Sequence, residues 1–313
     1  MLFALALIPV IGLLCFIYFN DKNEKEPFGL LIALFFAGMG TAIPAYISEI
    51  IGQGILDSVF PYDSAFKNIL LAAAVVGPVE EIGKYFILWI ITWKNKHFNY
   101  SYDAIVYAVF VSLGFAAIEN VLYVFSNGWG TALLRMFTAV PGHAYNAVFM
   151  GYFYSKAKYS AINNNKSKCL LFSLLSIFTP IVIHGIYDAI IMGGVSEEMN
   201  VTSVICVLLW IAYLIGLTVL SIIFVIRSSR NDYCIVNLPE ENVQIVYKPT
   251  VIGTWTCGCG AVNTLNFCPK CGKPRPLGDT WTCPICGRLS AFNFCGTCGH
   301  AKPLYQNPYL QNH

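Results

Sequence analysis

The chain has 313 residues, 57% of them hydrophobic, and a formal net charge of only +2. Charged residues make up 12%, against about 25% in ordinary soluble proteins, and the mean hydropathy is +0.61. These values exclude an ordinary soluble enzyme and give no electrostatic footprint for nucleic acid; they are those of a polytopic membrane protein.

Seven apolar segments are long enough to cross a hydrocarbon core about 30 Å thick, which takes about 20 helical residues. They cover residues 2–19, 28–51, 69–93, 103–125, 132–155, 169–192 and 201–226. The expectation is an all-α polytopic membrane protein of about seven transmembrane helices, followed by a small cytoplasmic region. No basic stretch precedes the first apolar run, and Lys22 and Lys25 follow it. It therefore reads as an anchor rather than a cleaved signal. Lys94 and Lys96 follow the third segment, Lys156, Lys158, Lys166 and Lys168 the fifth, and Arg227 and Arg230 the seventh. The intervening loops carry only Lys67, with Arg135 near a predicted outer end. This alternation predicts a multi-pass protein of the cell membrane with its N-terminus outside and its C-terminus in the cytoplasm.

Inside these segments the ionisable residues are few and regularly spaced. The third carries Glu80, Glu81 and Lys84. An ionised group at bilayer depth costs about 2.5–3.5 kcal/mol on insertion scales, so two adjacent carboxylates need partners, water or a function. Glu80 and Lys84 are four apart and share a helix face, which makes Lys84 a structural counter-charge. The fourth segment carries Phe115, Glu119 and Asn120; the fifth carries Pro141-Gly142-His143; the sixth carries His184 and Asp188, again on one face. Helical rise places Glu80 and His143 about 17 Å from the predicted outer ends, His184 about 12 Å and Glu119 about 9 Å. Four helices thus bring carboxylates and imidazoles to similar depths. The alternatives are plain: His143 as a hydrogen-bonded core residue, Asp188 as a helix cap or an orienter of His184, Glu49 and Arg135 as interfacial charges.

After Ile226 the composition turns polar. Residues 1–229 read as the membrane domain and 230–254 as a linker. Residues 255–303 form a tandem repeat and 304–313 a disordered tail. The repeat aligns Trp255-Thr256-Cys257 and Asn266-Phe267-Cys268 with Trp281-Thr282-Cys283 and Asn293-Phe294-Cys295. Cys283 with Cys286 and Cys295 with Cys298 are C-x-x-C pairs, the spacing that aims four thiolates at one tetrahedral Zn2+. The first unit has Cys257 and Cys259 one residue apart, with Cys268 and Cys271 at the usual spacing. Units this short draw most of their stability from metal. The expectation is a double zinc ribbon with two structural Zn2+ sites. Disulfides are the alternative, disfavoured on a reducing cytoplasmic side. The ribbons read as a contact for a cytoplasmic protein partner or as a regulator of the membrane domain; nucleic acid is the runner-up, on a basic patch too small to persuade.

Glu80-Glu81-x-x-Lys84, Phe115-x-x-x-Glu119-Asn120, His143 in Pro-Gly-His-Ala and His184-Gly-x-x-Asp188 together resemble the PrsW family of intramembrane proteases. That family is similar, more distantly, to the Abi-type CAAX prenyl proteases and to the Aph-1 scaffold of γ-secretase. The resemblance covers residues 1–225 and leaves the zinc ribbons outside. It implies hydrolysis of a peptide bond in a single-span membrane protein, an anti-sigma-factor-like regulator, on the extracytoplasmic side.

For mechanism, Glu80 or Glu81, with Glu119 or His143, is expected to activate water. His184, positioned by Asp188, would donate to the oxyanion or leaving group. A metal-activated water held by His143, His184 and a glutamate is the rival, and the reading leans toward metal-free chemistry because no His-Glu-x-x-His motif is present. An ion-coupled transporter and a non-catalytic membrane scaffold are the other classes consistent with buried charges.

Overall fold

The computed structural model describes residues 2–195 and 200–236, and in the C-terminal region 255–257, 259–263, 270–271, 281–283, 285–290 and 300. The chain divides into two compact units, Met1–Asn237 and Leu238–His313.

The first unit is an all-α membrane bundle: α1 (Leu2–Asn20), α2 (Phe28–Gly40), α3 (Ala42–Val59), α4 (Ala65–Leu70), α5 (Gly77–Thr92), α6 (Asp103–Asn127), α7 (Trp129–Phe137), α8 (Ala139–Ile162), α9 (Lys166–Gly194) and α10 (Val201–Arg230). A π-helical segment, Leu71–Val76, joins α4 to α5. Five stretches are long and apolar enough to cross a membrane: α1, the bent pair α2–α3, α6, α9 and α10. Of the two remaining long elements, residues 65–92 carry Lys67, Glu80, Glu81 and Lys84, and α8 carries His143, Lys156 and Lys158.

Prolines set the breaks. A proline ring clashes with the carbonyl four residues earlier and cannot donate to it. Pro44 thereby opposes Gly40, and the helix bends at Thr41, whose hydroxyl donates to the Gly38 carbonyl at 2.7 Å. Pro141 opposes Phe137, and Thr138 leaves the helical region with φ −123° and ψ −79°. Pro78 opposes Ala74, within the π-helical segment. The expected fifth segment, 132–155, is accordingly two helices: the short α7, set off from α6 by Gly128 at φ +82°, and α8, which starts only at Ala139. Side-chain caps start other helices, Asn165 accepting from Lys168 N and Asn200 from Ser203 N.

α6 is the central helix, buried almost continuously from Asp103 to Ala117 and packed against α1, α2, α5, α7 and α8. Without water to drive association, such helices rely on close van der Waals approach over small residues. A Cβ at Gly38 would lie 2.0 Å from the Val111 carbonyl oxygen, and one at Gly114 would lie 2.0 Å from that of Phe35. The α2 and α6 backbones therefore touch.

At one end of the bundle the loops 20–27 and 93–102 meet residues 229–235. Asp232 accepts from Ser101 Oγ (2.9 Å), Tyr102 N (2.8 Å) and Asn23 Nδ2 (2.8 Å). Glu26 accepts from the Tyr107 hydroxyl, and Asp103 accepts from the backbone of Asn99 and Tyr100. Asp21 is 1% exposed, and neither carboxylate oxygen has a hydrogen-bond partner. Burial pushes it up to about 7; Lys25 opposes this, and Asp232 and Glu24 add to it. Burial likewise pushes Glu26 up to about 7.

In the second unit, β1 (Trp255–Thr256) pairs antiparallel with β2 (Val262–Asn263), and β3 (Trp281–Thr282) with β4 (Leu289–Ser290). Each pair closes through a glycine at positive φ, Gly260 at +83° and Gly287 at +69°. In the first turn Gly260 N donates to Cys257 O, and in the second Gly287 N donates to Cys283 O. The turn one residue shorter absorbs the Cys-x-Cys spacing without changing the hairpin.

Candidate active site

Glu80, Glu81 and Lys84 lie in the first two turns of α5, and all three are buried. Lys84 Nζ is 3.0 Å from Glu80 Oε2 and 2.8 Å from Glu81 Oε1. It is also 3.1 Å from His143 Nδ1 and lies 4.2 Å over the Phe115 ring. The expected counter-charge is thus shared between both glutamates.

His143 sits in the first turn of α8, which the break at Thr138 starts deep enough to face Glu119, two turns inside the end of α6. Its Nε2 is 2.8 Å from Glu119 Oε2. An ammonium can only donate, so His143 Nδ1 accepts from Lys84, and the ring proton is on Nε2, donating to Glu119. His143 is a neutral imidazole in this arrangement. His184, on α9, has Nδ1 2.9 Å from Glu81 Oε1 and Nε2 3.2 Å from Asp188 Oδ2. With a carboxylate at each nitrogen, its ring donates from both. The two imidazoles meet edge to face, with centroids 5.5 Å apart.

Backbone contact makes this possible. A Cβ at Gly185 would come 3.2 Å from Ala73 Cα, and one at Gly77 3.3 Å from Gly185 N. The glycine next to His184 thus lets α9 lie against the π-helical segment and the start of α5, which carries His184 to Glu81.

All six expected site residues and Lys84 fall in this one cluster. Further residues border it. Arg135, expected at an interface, reaches back from α7: its Nη2 is 2.9 Å from Glu119 Oε2, its Nε donates to Asn120 Oδ1 at 2.9 Å, and its guanidinium covers Tyr123 at 4.2 Å. Asn146 donates to Glu81 Oε1 at 3.3 Å; its spacing of three from His143 was the available signal. Glu49 on α3 lies within electrostatic range of Glu119, His184 and Asp188.

Among the ribbon cysteines, the Sγ atoms of Cys257, Cys259 and Cys271 lie within 4.8 Å of one another, with Cys257 and Cys271 at 3.4 Å. Cys283 is buried and Cys286 half-buried beside Ile285. Cys268, Cys295 and Cys298 lie outside the described residues. Three thiols at this separation could hold a metal ion.

Residues 26–220 match the family model described as PrsW family intramembrane metalloprotease. The chain is 33% identical over 206 residues to a Protease PrsW of Halalkalibacterium halodurans, covering 66% of this chain and 90% of the relative. It is 37% identical over 203 residues to one of Oceanobacillus iheyensis, covering 65% and 88%. To one of Clostridioides difficile it is 34% identical over 215 residues, covering 67% and 87%. No solved structure matches.

Proposed function

The chain belongs to the PrsW family of intramembrane proteases, and from that premise we propose that it hydrolyses a peptide bond of a single-span membrane protein, an anti-sigma-factor-like regulator, towards the extracytoplasmic side. The observation that carries this reading is the convergence of Glu80, Glu81, Glu119, His143 and His184 from four helices into one buried cluster.

The family's description implies a metal, and the residues fit one. Glu80, Glu81 and His184 each offer a ligand atom within 4.8 Å of the others. Glu81 Oε2 is buried with no hydrogen-bond partner. The contacting carboxylates Glu80, Glu81, Glu119 and Asp188 outnumber the permanent cations Lys84 and Arg135 by two charges; a divalent ion bound through His184 Nδ1 would displace the proton that nitrogen now donates and balance that deficit. Bound there, a metal supplies Lewis-acid polarisation of the scissile carbonyl and a water acidified towards neutral pH. This places the metal reading ahead of the metal-free chemistry favoured by the sequence.

The chain's own groups divide the remaining work. Without a metal, Glu80, which uses Oε2 for Lys84 and makes no hydrogen bond through Oε1 among the described residues, would take the proton from water at Oε1 as oxygen attacks the carbonyl carbon. Lys84, Asn146 and His184 hold Glu81 in place. In the same metal-free version His184, oriented by Asp188, would stabilise the oxyanion and protonate the leaving amine as the C–N bond breaks, whereas as a metal ligand it would hold the ion and leave that proton to another group. Arg135 and Glu119 fix the tautomer of His143. A metal-free version has one observation in its favour: Lys84 Nζ already sits among Glu80, Glu81 and His143 as their cation.

The test is cleavage of a tagged single-span substrate by enzyme truncated after Asn237, with and without a strong chelator. Activity lost to the chelator and restored by a divalent ion supports the metal reading; full activity in chelator leaves the glutamate chemistry. Unaltered cleavage by Glu80→Gln/Glu81→Gln removes both. In the ribbons, Cys257, Cys259, Cys268 and Cys271 would hold one Zn2+, and Cys283, Cys286, Cys295 and Cys298 a second, presenting a surface to a cytoplasmic protein.

A further inference from the structure

Among the described residues, Lys25, Lys94, Lys96, Lys158 and Arg230 lie at the end of the bundle where Asp232 ties the loops, and a cavity of about 400 Å³ opens there between α6, α8 and α10. Its volume lies in the range of about 300–1,000 Å³ typical of small-molecule sites. Ile105, Ile223 and Phe224 form apolar walls, while Lys156 and Arg227 supply charge. Ser155 lines the cavity too; the residue is 4% exposed, and its hydroxyl has no hydrogen-bond partner. A buried hydroxyl without a partner costs free energy unless something in the cavity completes it.

The charge is uncompensated. Among the described residues, Lys67, Lys84 and Arg135 each face a carboxylate, whereas neither Lys156 nor Arg227 has one within ion-pair distance. Lys156 Nζ is held instead over the Tyr152 ring at 4.8 Å. No Asp or Glu lines the cavity. Two cations, an open hydroxyl and apolar walls at a membrane boundary describe a receptor for an anion that carries hydrocarbon.

We propose that this cavity binds the headgroup phosphate of an anionic phospholipid from the adjacent leaflet. Arg227 and Lys156 pair with the phosphate, Ser155 donates to a phosphate or glycerol oxygen, and the acyl chains leave along Ile223 and Phe224. Basic pockets between transmembrane helices on the cytoplasmic side recognise such headgroups, and guanidinium geometry suits phosphate oxygens. The chemistry is shared with free phosphate; the apolar walls and the membrane boundary favour the lipid.

The experiment uses the full chain in micelles doped with phosphatidylglycerol or phosphatidylcholine, with retained lipid measured by native mass spectrometry. The expected result is preferential retention of phosphatidylglycerol, reduced about thirtyfold in Lys156→Gln/Arg227→Gln, in keeping with the loss of two phosphate-facing cations. Lys94→Gln/Lys96→Gln, which removes the same charge from exposed positions at that end, should retain it. Equal loss in both variants would show diffuse surface attraction and overturn the site. Equal retention of the two lipids, or displacement of phosphatidylglycerol by millimolar inorganic phosphate, would overturn the lipid assignment. Ser155→Ala, which removes only the hydroxyl, should weaken retention without lowering the thermal unfolding temperature and gives a second reading if the double variant misfolds.

Discussion

Lys84 illustrates how a single residue binds the site together. It is fully buried, with two carboxylates and an imidazole as partners, and removing one member of a buried pair costs about 3–5 kcal/mol because the other charge is stranded. Lys84→Met should lower the thermal unfolding temperature markedly and abolish cleavage, whereas Lys84→Met combined with Glu80→Gln and Glu81→Gln should recover much of the stability and none of the activity. Asp21 presents the opposite case, a buried carboxylate without a hydrogen-bond partner. Its raised pKa means the folded chain keeps a proton that the unfolded chain has released. That contribution to stability is therefore present below about pH 4, is lost as pH rises, and is gone above about pH 7. Asp21→Asn should be more thermostable than the parent, by a margin that widens from pH 5 to about pH 7 and then stays level. A margin that shrinks with pH would contradict the assignment.

Packing at the level of helices decides whether the residues meet. Gly185→Val places branched carbons against the Ala73 backbone and pushes α9 away from α5. A misplacement of about 1 Å costs about 100-fold in rate, so cleavage should fall by about that factor while circular dichroism reports intact helices. The Glu80, Glu81 and Lys84 triad was legible in the sequence because spacings of three and four put side chains together on any helix. His143, His184 and Asp188 were legible as polar groups in apolar runs. Arg135 was not, because a continuous span places it at the rim; only the break forced by Pro141 turns α7 back towards Glu119. The π-helical segment was invisible as well: Leu71-Ala72-Ala73-Ala74-Val75-Val76 reads as ordinary helix, and its distinction comes from Pro78 and the contact with α9.

At the scale of the whole molecule, the protease family match ends at residue 220, and the first compact unit closes at Asn237. A chain truncated after Asn237 should therefore fold in membranes and keep its cleavage activity, checked by protease-resistant size and by turnover of a tagged substrate. Asp232, which gathers donors from residues 23, 101 and 102, has a consequence for biogenesis. Its partners are synthesised early and it is synthesised last among them, so this tie closes only after α10 has emerged. In the full chain the ribosome is then still extending the cysteine-rich region at about 5–20 residues per second. The membrane unit can thus lock before synthesis ends, whereas the truncated chain must lock after its release.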